Sequence, residues 1–382
     1  MSKKSQKKQT AFVLEPDGFS IHTFELSRRL TGHEFRKLKE NLYDLQHERG
    51  GKNDVYRESE GIYRCRLFSE HGIRLCLKAS DSGGYEQHRL HIVVNPRQLI
   101  DPEAGYLGIF PPDKKSLKKL RISFEELFKE TKIPDNINDY ELRRLDLCVN
   151  IRCGMKKIFR ELVRVLRKLP TPKKYKRVFY KHKEKTRANK YNKHYLRFAC
   201  GTHELVIYDK TYHLVESGLA VDYQSLPEGV LRIEMHCGRD YIRTLQKKQS
   251  IETTMDMIKW MVEHSEQQIT KKFGQCFRTG MFCQMDEIKR RIKDSSFHKE
   301  KKENMLKLSR RMQRKQNLDK ELEAMRRDNV DTDELMEAFE KIGTNPVPLW
   351  QNFIAPCLPG PVELLQGVSG GELPVEYIKV KN

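Results

Sequence analysis

One order of elements occurs twice along the chain. The first pass runs through a strand "IHTFEL", a helix "TGHEFRKLKENLYDLQ", a hairpin "YRCRLFSEHGIRLCLKA", a strand "HRLHIVVN" and a helix start at "PRQLI". The second runs through "RRLDLCVNI", "MKKIFRELVRVLRKL", "YLRFACGTHELVIYDKT", "GVLRIEMHC" and "GRDYIRTL". Each pass is β-α-β-β-β-α. Helices this sparse cannot cover both faces of a doubly wound sheet, so the pattern predicts an α+β fold: antiparallel sheets from a duplicated β-α-β-β-β-α unit. The helical stretches after it add a C-terminal helical region. One sheet face is expected to pack on helices and the other to stay open.

Local chemistry supports the elements. Thr31 and Glu34 have capping-box spacing, as do Ser123 and Glu126 in the bridge between copies, and a helix is expected to start at each. Ile158, Leu162, Val165, Leu166 and Leu169 make one helical stripe. "SEHG" and "GTHE" join apolar runs as short turns. The predicted division is 1–125 for the first repeat (scaffold or DNA docking), 126–245 for the second (reactive half), 246–345 for a basic helical region and 346–382 for a loose tail mixing Pro and Gly.

Charge narrows the partner. Lys+Arg 73 against Asp+Glu 53 gives a formal net charge of +20 over 382 residues, which favours a polyanion, nucleic acid first. No apolar run approaches the ~18 residues of a spanning helix, and "AFVL" is too short for a signal-peptide core. A cytoplasmic protein without a membrane partner is expected. The nine cysteines form no paired C-x-x-C, so neither a disulfide framework nor a zinc site is anticipated.

Strand alternation then selects a face. In "RRLDLCVNI", Leu145, Leu147, Val149 and Ile151 should be buried, leaving Arg144, Asp146, Cys148 and Asn150 opposite. In "LRIEMHC", Leu231, Ile233, Met235 and Cys237 should be buried, leaving Arg232, Glu234 and His236. "HELVIYDKTYHL", taken as strand to its end, puts Tyr208 and Lys210 on one face. If these strands are neighbours, Tyr208, Lys210, Asp146, Glu234, His236 and two arginines share the open face. That combination suits phosphoryl transfer. A phenol of pKa ~10 needs a base or a cation before it attacks, and a divalent metal on carboxylates and an imidazole, helped by Lys210, offsets charge on the phosphate. The ordinary use of Asp146 and Glu234 is as partners of Arg144 and Arg232. The first copy places Cys76 where the second has Tyr208, keeps Lys78 opposite Lys210, and offers only Val93 and Asn95 for a metal.

"RRLDLCVNI", "ELVIYDKTYHL" and "LRIEMHCGRDYI", with "HIVVNPRQL" upstream, resemble the replication-initiation proteins of rolling-circle plasmids and of related phages and integrative elements. The resemblance spans roughly residues 60 to 245. It implies Tyr208 as the nicking nucleophile forming a 5′-phosphotyrosine, Lys210 beside it, and Asp146 and Glu234 as acids beside Mg or Mn. His236 stands where another carboxylate is usual, and Asn150 and Val93 replace acids found in many members. Tyr212 is similar in placing to the second tyrosine of some phage initiators and is a secondary nucleophile candidate. The family commonly acts as dimers.

Between the second helix and the hairpin, Lys173, Lys174, Lys176, Arg177, Lys181, Lys190 and Lys193 alternate with Tyr175, Phe179, Tyr180, Tyr191 and Tyr195. Cations track phosphates and rings stack on unpaired bases, so this segment, with Arg144 and Arg232, is the candidate groove for single-stranded origin DNA. "TTMDMIKWMVEHSEQQITKKF" reads as a packed helix. "MDEIKRRIKDSSFHKEKKENMLKLSRRMQRKQ" reads as a basic helix suited to duplex DNA, a host helicase or a second copy. Competing functions are a conjugative relaxase, which normally carries an H-x-H pair not found here, and a non-catalytic origin or single-strand binder.

Overall fold

The computed structural model describes residues 14–50, 52–82, 85–129, 131–153, 155–218, 229–315 and 317–369. The fold is α+β. Ten strands form one antiparallel sheet: β1 (Leu14–Leu30), β2 (Val55–Ser59), β3 (Ile62–Cys65), β4 (Ile73–Ser82), β5 (Tyr85–Val94), β6 (Glu141–Cys153), β7 (Lys176–Arg177), β8 (Tyr195–Ala199), β9 (His203–Asp209) and β10 (Val230–Gly238). Their spatial order is β2-β3-β4-β5-β1-β6-β10-β9-β8-β7. A separate two-stranded sheet joins β11 (Phe282–Cys283) to β12 (Cys357–Leu358).

The middle of the large sheet is the long β1, paired with β5 on one side and β6 on the other. Its length is accommodated by bulges between Pro16 and Phe19, Ile21 and Thr23, and Glu25 and Leu26. Gly18, inside the first bulge, has φ +83°, a conformation that glycine takes without steric cost. Bulges bend a strand and re-aim side chains; the second one does so for His22.

The helices before the C-terminal region are α1 (Gly32–Glu48), α2 (Pro96–Ile100), α3 (Lys114–Phe128), α4 (Lys156–Leu166), α5 (Lys185–Asn192), α6 (Lys210–Glu216) and α7 (Arg239–Gln249). Then follow α8 (Thr254–Glu263), α9 (Ser265–Cys276), α10 (Met285–Asp294), α11 (Lys299–Arg314), α12 (Leu318–Arg327), α13 (Thr332–Lys341) and α14 (Pro361–Ser369). The alternating apolar residues Leu145, Leu147, Val149, Ile151, Leu231, Ile233, Met235 and Cys237 are all fully buried. α8 and α9 lie against β1 and β6, α7 against β6 and β10, and α1 against β1 and β5.

α1 begins where the capping box placed it: Thr31 Oγ1 accepts from the Glu34 amide at 3.1 Å, and Glu34 Oε2 accepts from the Thr31 amide at 2.6 Å. The second capping box is not used. α3 starts nine residues before Ser123, because the Asp113 carboxylate already takes the Ser116 amide at 2.8 Å. "SEHG" is one 3-10 turn, Ser69–His71. The stretches read as one packed and one basic helix are each two helices, α8–α9 and α10–α11.

Two expectations about the C-terminal part are corrected. The segment from 346 is not a loose tail over its described length: Val347, Leu349, Ala355, Leu358, Leu364 and Leu365 are buried, and α14 packs on α9. Residues 370–382 lie outside the described residues. Cys283 and Cys357 face each other across β11–β12 and form a disulfide. They are 74 residues apart, so neither periodicity nor spacing could pair them.

Candidate active site

β6, β10 and β9 are neighbours, as the face assignment required. The register puts His236 across from Asp146, Glu234 across from Cys148, and Arg232 across from Asn150 on one side and Tyr208 on the other. Tyr208, Asp146, Glu234, His236, Arg144 and Arg232 therefore do converge on one face. Tyr208 Oη donates to Glu234 Oε1 at 2.9 Å.

That face is not open, which corrects the expectation. Tyr208, Glu234, Asp146 and Lys210 are each 2% exposed and Arg232 is 0%. Two layers cover them. The 101–113 segment lies over one end, where the Leu107 carbonyl accepts from Asn150 Nδ2 at 2.7 Å and Arg232 Nη2 at 2.9 Å. Rings cover the other end: Tyr195 stacks on Tyr208 at 4.7 Å between centroids, and His213 meets Tyr208 edge-on at 5.5 Å.

The strand carrying Tyr208 also ends earlier than expected. Asp209 is the N-cap of α6, its Oδ1 accepting from the Tyr212 amide at 2.9 Å. An aspartate that satisfies a free first-turn amide favours helix over continued strand. Lys210 and Tyr212 are consequently helical. Tyr212 stacks on His194 at 3.8 Å and belongs to a different cluster from Glu234; burial pushes its phenol up to about 12.

Glu234 is the hub. His22 Nδ1 lies 2.9 Å from Oε1 and His236 Nε2 lies 2.8 Å from Oε2. Burial alone would protonate this carboxyl, but the imidazoles of His22 and His236 outweigh it and hold the group well below the usual carboxylate range. Burial lowers His22 to about 4, so its ring is neutral and donates one N–H. Burial opposes charge on His236 too, yet Asp146, Glu204 and Glu234 together raise it to about 10, an imidazolium at neutral pH. Burial, then the Glu234 charge, pushes the Tyr208 phenol well above its ordinary range, so it stays protonated at rest.

The cations are arranged unevenly. Arg232 Nε donates to Asn150 Oδ1 at 2.6 Å, but Nη1 is buried and forms no hydrogen bond among the described residues, lying 3.8 Å from Glu234 Oε1. Tyr208 sits against the same guanidinium. Burial and the Arg232 charge drive the Lys210 ammonium well below the usual lysine range. Arg144 grips Asp146 with two bonds of 2.7 and 2.8 Å, while Thr23 Oγ1 donates to the same carboxylate at 2.5 Å.

Both carboxylates are already engaged by protein donors. Asp146 accepts from Arg144 and Thr23; Glu234 accepts from Tyr208, His22 and His236. Among the described residues no group of three or more His, Cys, Asp or Glu side chains could hold a metal ion. As arranged, the set expected to bind Mg or Mn does not fit a resident ion.

In the basic segment, Lys173, Lys174, Lys176, Lys181, Lys190 and Lys193 are exposed. Arg177 is committed to structure: it donates to the Arg167 carbonyl at 2.7 Å and lies over Phe179 and Phe198. Lys190 pairs with Glu216 at 3.0 Å. The main residues that sequence reasoning missed are His22, His213 and Glu204. His22 sits in "IHTFEL", but its use depends on a bulge in β1 and on β1 pairing with β6, which a pattern of single strands does not reveal. The chain matches no family model and no curated protein.

Proposed function

We propose that the protein is a DNA nicking and joining enzyme that starts rolling-circle replication through a 5′-phosphotyrosine on Tyr208, its two halves being copies of one β-α-β-β-β-α unit. The supporting observation is one buried guanidinium edge beside a phenol. Arg232 Nη1 is buried and forms no hydrogen bond among the described residues, and Tyr208, which lies against that guanidinium, already donates its proton to Glu234. Leaving a buried N–H donor without an acceptor costs about 1–3 kcal/mol, a cost that a bound phosphate oxygen would offset.

In the proposed reaction the non-bridging oxygens of the scissile phosphate face Arg232 and Lys210. Tyr208 Oη attacks phosphorus while Glu234, its hydrogen-bond acceptor, takes the phenolic proton. The bond to the 3′ oxygen breaks and that oxygen takes the proton from Glu234, leaving a 3′ hydroxyl and the 5′ phosphate on the enzyme. Rejoining is the reverse. His22 and His236 keep Glu234 oriented. Dependence on Mg or Mn belongs to the proposal, but no step is assigned to the ion, because Arg144 must first release Asp146.

The duplicated origin is supported by the sheet order, in which β3-β4-β5-β1 and β8-β9-β10-β6 run inward to meet at the β1–β6 pair. The burial of the whole cluster favours a second function, a protein that grips strands without cutting them. Incubation with labelled single-stranded DNA and Mg or Mn separates the two. A nicking enzyme gives a covalent adduct that survives denaturation and is lost in Tyr208→Phe, with binding retained; binding without any adduct leaves only the gripping protein.

A further inference from the structure

The rings over Tyr208 form a continuous ladder to the surface. Tyr195 stacks on Tyr208, Tyr191 lies 5.0 Å from Tyr195, Tyr180 lies 4.4 Å from Tyr191, and His182 faces Tyr180 at 6.2 Å and 20°. The outer end is open: Tyr180 is 41% and its neighbour Phe179 58% exposed. Only two other large apolar side chains, Met155 and Trp350, are exposed among the described residues. Of the three exposed large aromatic side chains among the described residues, two are adjacent here.

The strap bearing the outer rings, residues 178–194, is held by surface contacts rather than by a buried core face. α5 buries no residue; the Tyr180–Asn192 hydrogen bonds of 2.8 and 3.0 Å close the strap on itself, and it meets α6 through Tyr191 against Tyr212 and His213 and through Lys190 on Glu216. Lys181, Lys183, Lys185 and Lys193 lie on the same strap as the outer rings, exposed and without an ion pair among the described residues. A hydrophobic partner would not need that charge. A folded duplex would supply the phosphates but keep its bases stacked inside. Rings open to solvent beside free cations match a single strand, whose bases have free faces and whose phosphates lie within reach of the lysines.

Resting on the nicking function proposed above, we propose that Tyr180 is the landing site for one unpaired base. The ladder behind it sets the distance between that base and the phosphate seated at Arg232. Tyr180 is thus a specificity-determining residue: it selects single-stranded over duplex DNA, and it does not touch the reacting atoms.

The test uses the full chain carrying Tyr208→Phe, so that nothing is cut. A mixed-sequence single strand of about 16 nucleotides, with 2-aminopurine moved one position at a time, is titrated at fixed salt. The expected result is quenching at one position relative to the 5′ end. Adding Tyr180→Ala should abolish that quenching and weaken single-strand binding about tenfold, the scale of one lost base stack, with duplex binding unchanged. Tyr180→Trp should restore both. Quenching at no position, or quenching that persists in Tyr180→Ala, overturns the proposal. Failure of the nicking function reads differently: the unsubstituted chain then forms no adduct, whatever the 2-aminopurine signal does.

Discussion

Arg144 and Asp146 were foreseen as the ordinary ion pair and as parts of a phosphate and metal site, and the geometry makes the first use primary. Asp146 is almost fully buried while the Arg144 side chain is 46% exposed, so the guanidinium is the partner that can leave. Arg144→Gln should free one carboxylate. The expected outcome is a lower thermal midpoint, because Asp146 loses its main counter-charge, together with tighter Mn2+ binding read by electron paramagnetic resonance; unchanged Mn2+ affinity would show that Arg144 does not close the site. Which residues share this face was legible from alternation, since Asp146, Glu234 and Tyr208 occupy the predicted side. That they are buried was not. Their cover comes from Leu107, 43 residues before Asn150, and from the rings of Tyr195 and His213, and no local pattern reports such long-range contacts.

At the level of elements, the turn from β9 into α6 positions the site. Asp209 caps α6 and also meets His194 at 3.0 Å. Asp209→Ala should cost about 0.5–2 kcal/mol, the usual range for a lost N-cap, measured by urea unfolding. It should also slow adduct formation by displacing Lys210 at the first helical position. The stretch "YDKT" looked like strand because β-branched and apolar residues precede it, and the Asp followed by three residues of helix was the signal available for a cap. The disulfide belongs to this scale too. It closes a loop of 74 residues, for which chain entropy gives about 4 kcal/mol. A reductant, or Cys283→Ser, should therefore lower the stability of the C-terminal helices by up to that amount, seen as an earlier denaturant transition. A transition that ignores reductant would mean that the bond is absent or the loop already constrained when unfolded.

For the whole molecule, three histidines, His203 buried and His22 and His213 partly so, set the acid limit. His22, His203 and His213 each fall to about 4, in every case chiefly through burial. A histidine whose folded pKa is depressed binds fewer protons folded than unfolded between about 6.5 and 4, so stability is lost as pH falls through that window. His236, raised to about 10, works oppositely: its contribution is complete below about 6.5 and is lost as pH rises toward 10. Thermal midpoints should therefore drop from pH 6.5 to 4, and His203→Gln, which removes a histidine remote from Tyr208, should flatten that slope. An unchanged slope would place the acid sensitivity elsewhere. The α+β class, the antiparallel pairing and the burial of the apolar stripe were all legible in the sequence. The merging of both halves into one ten-stranded sheet was not, because it depends on β1 pairing with β6 more than a hundred residues away. The central claim is that the Tyr208 oxygen becomes bonded to a DNA phosphate. Peptide mapping of an adduct formed on single-stranded DNA tests it most directly: the phosphate should sit on Tyr208, and finding it on Tyr212 or another residue, or finding no adduct with any single strand containing the origin, would contradict the account.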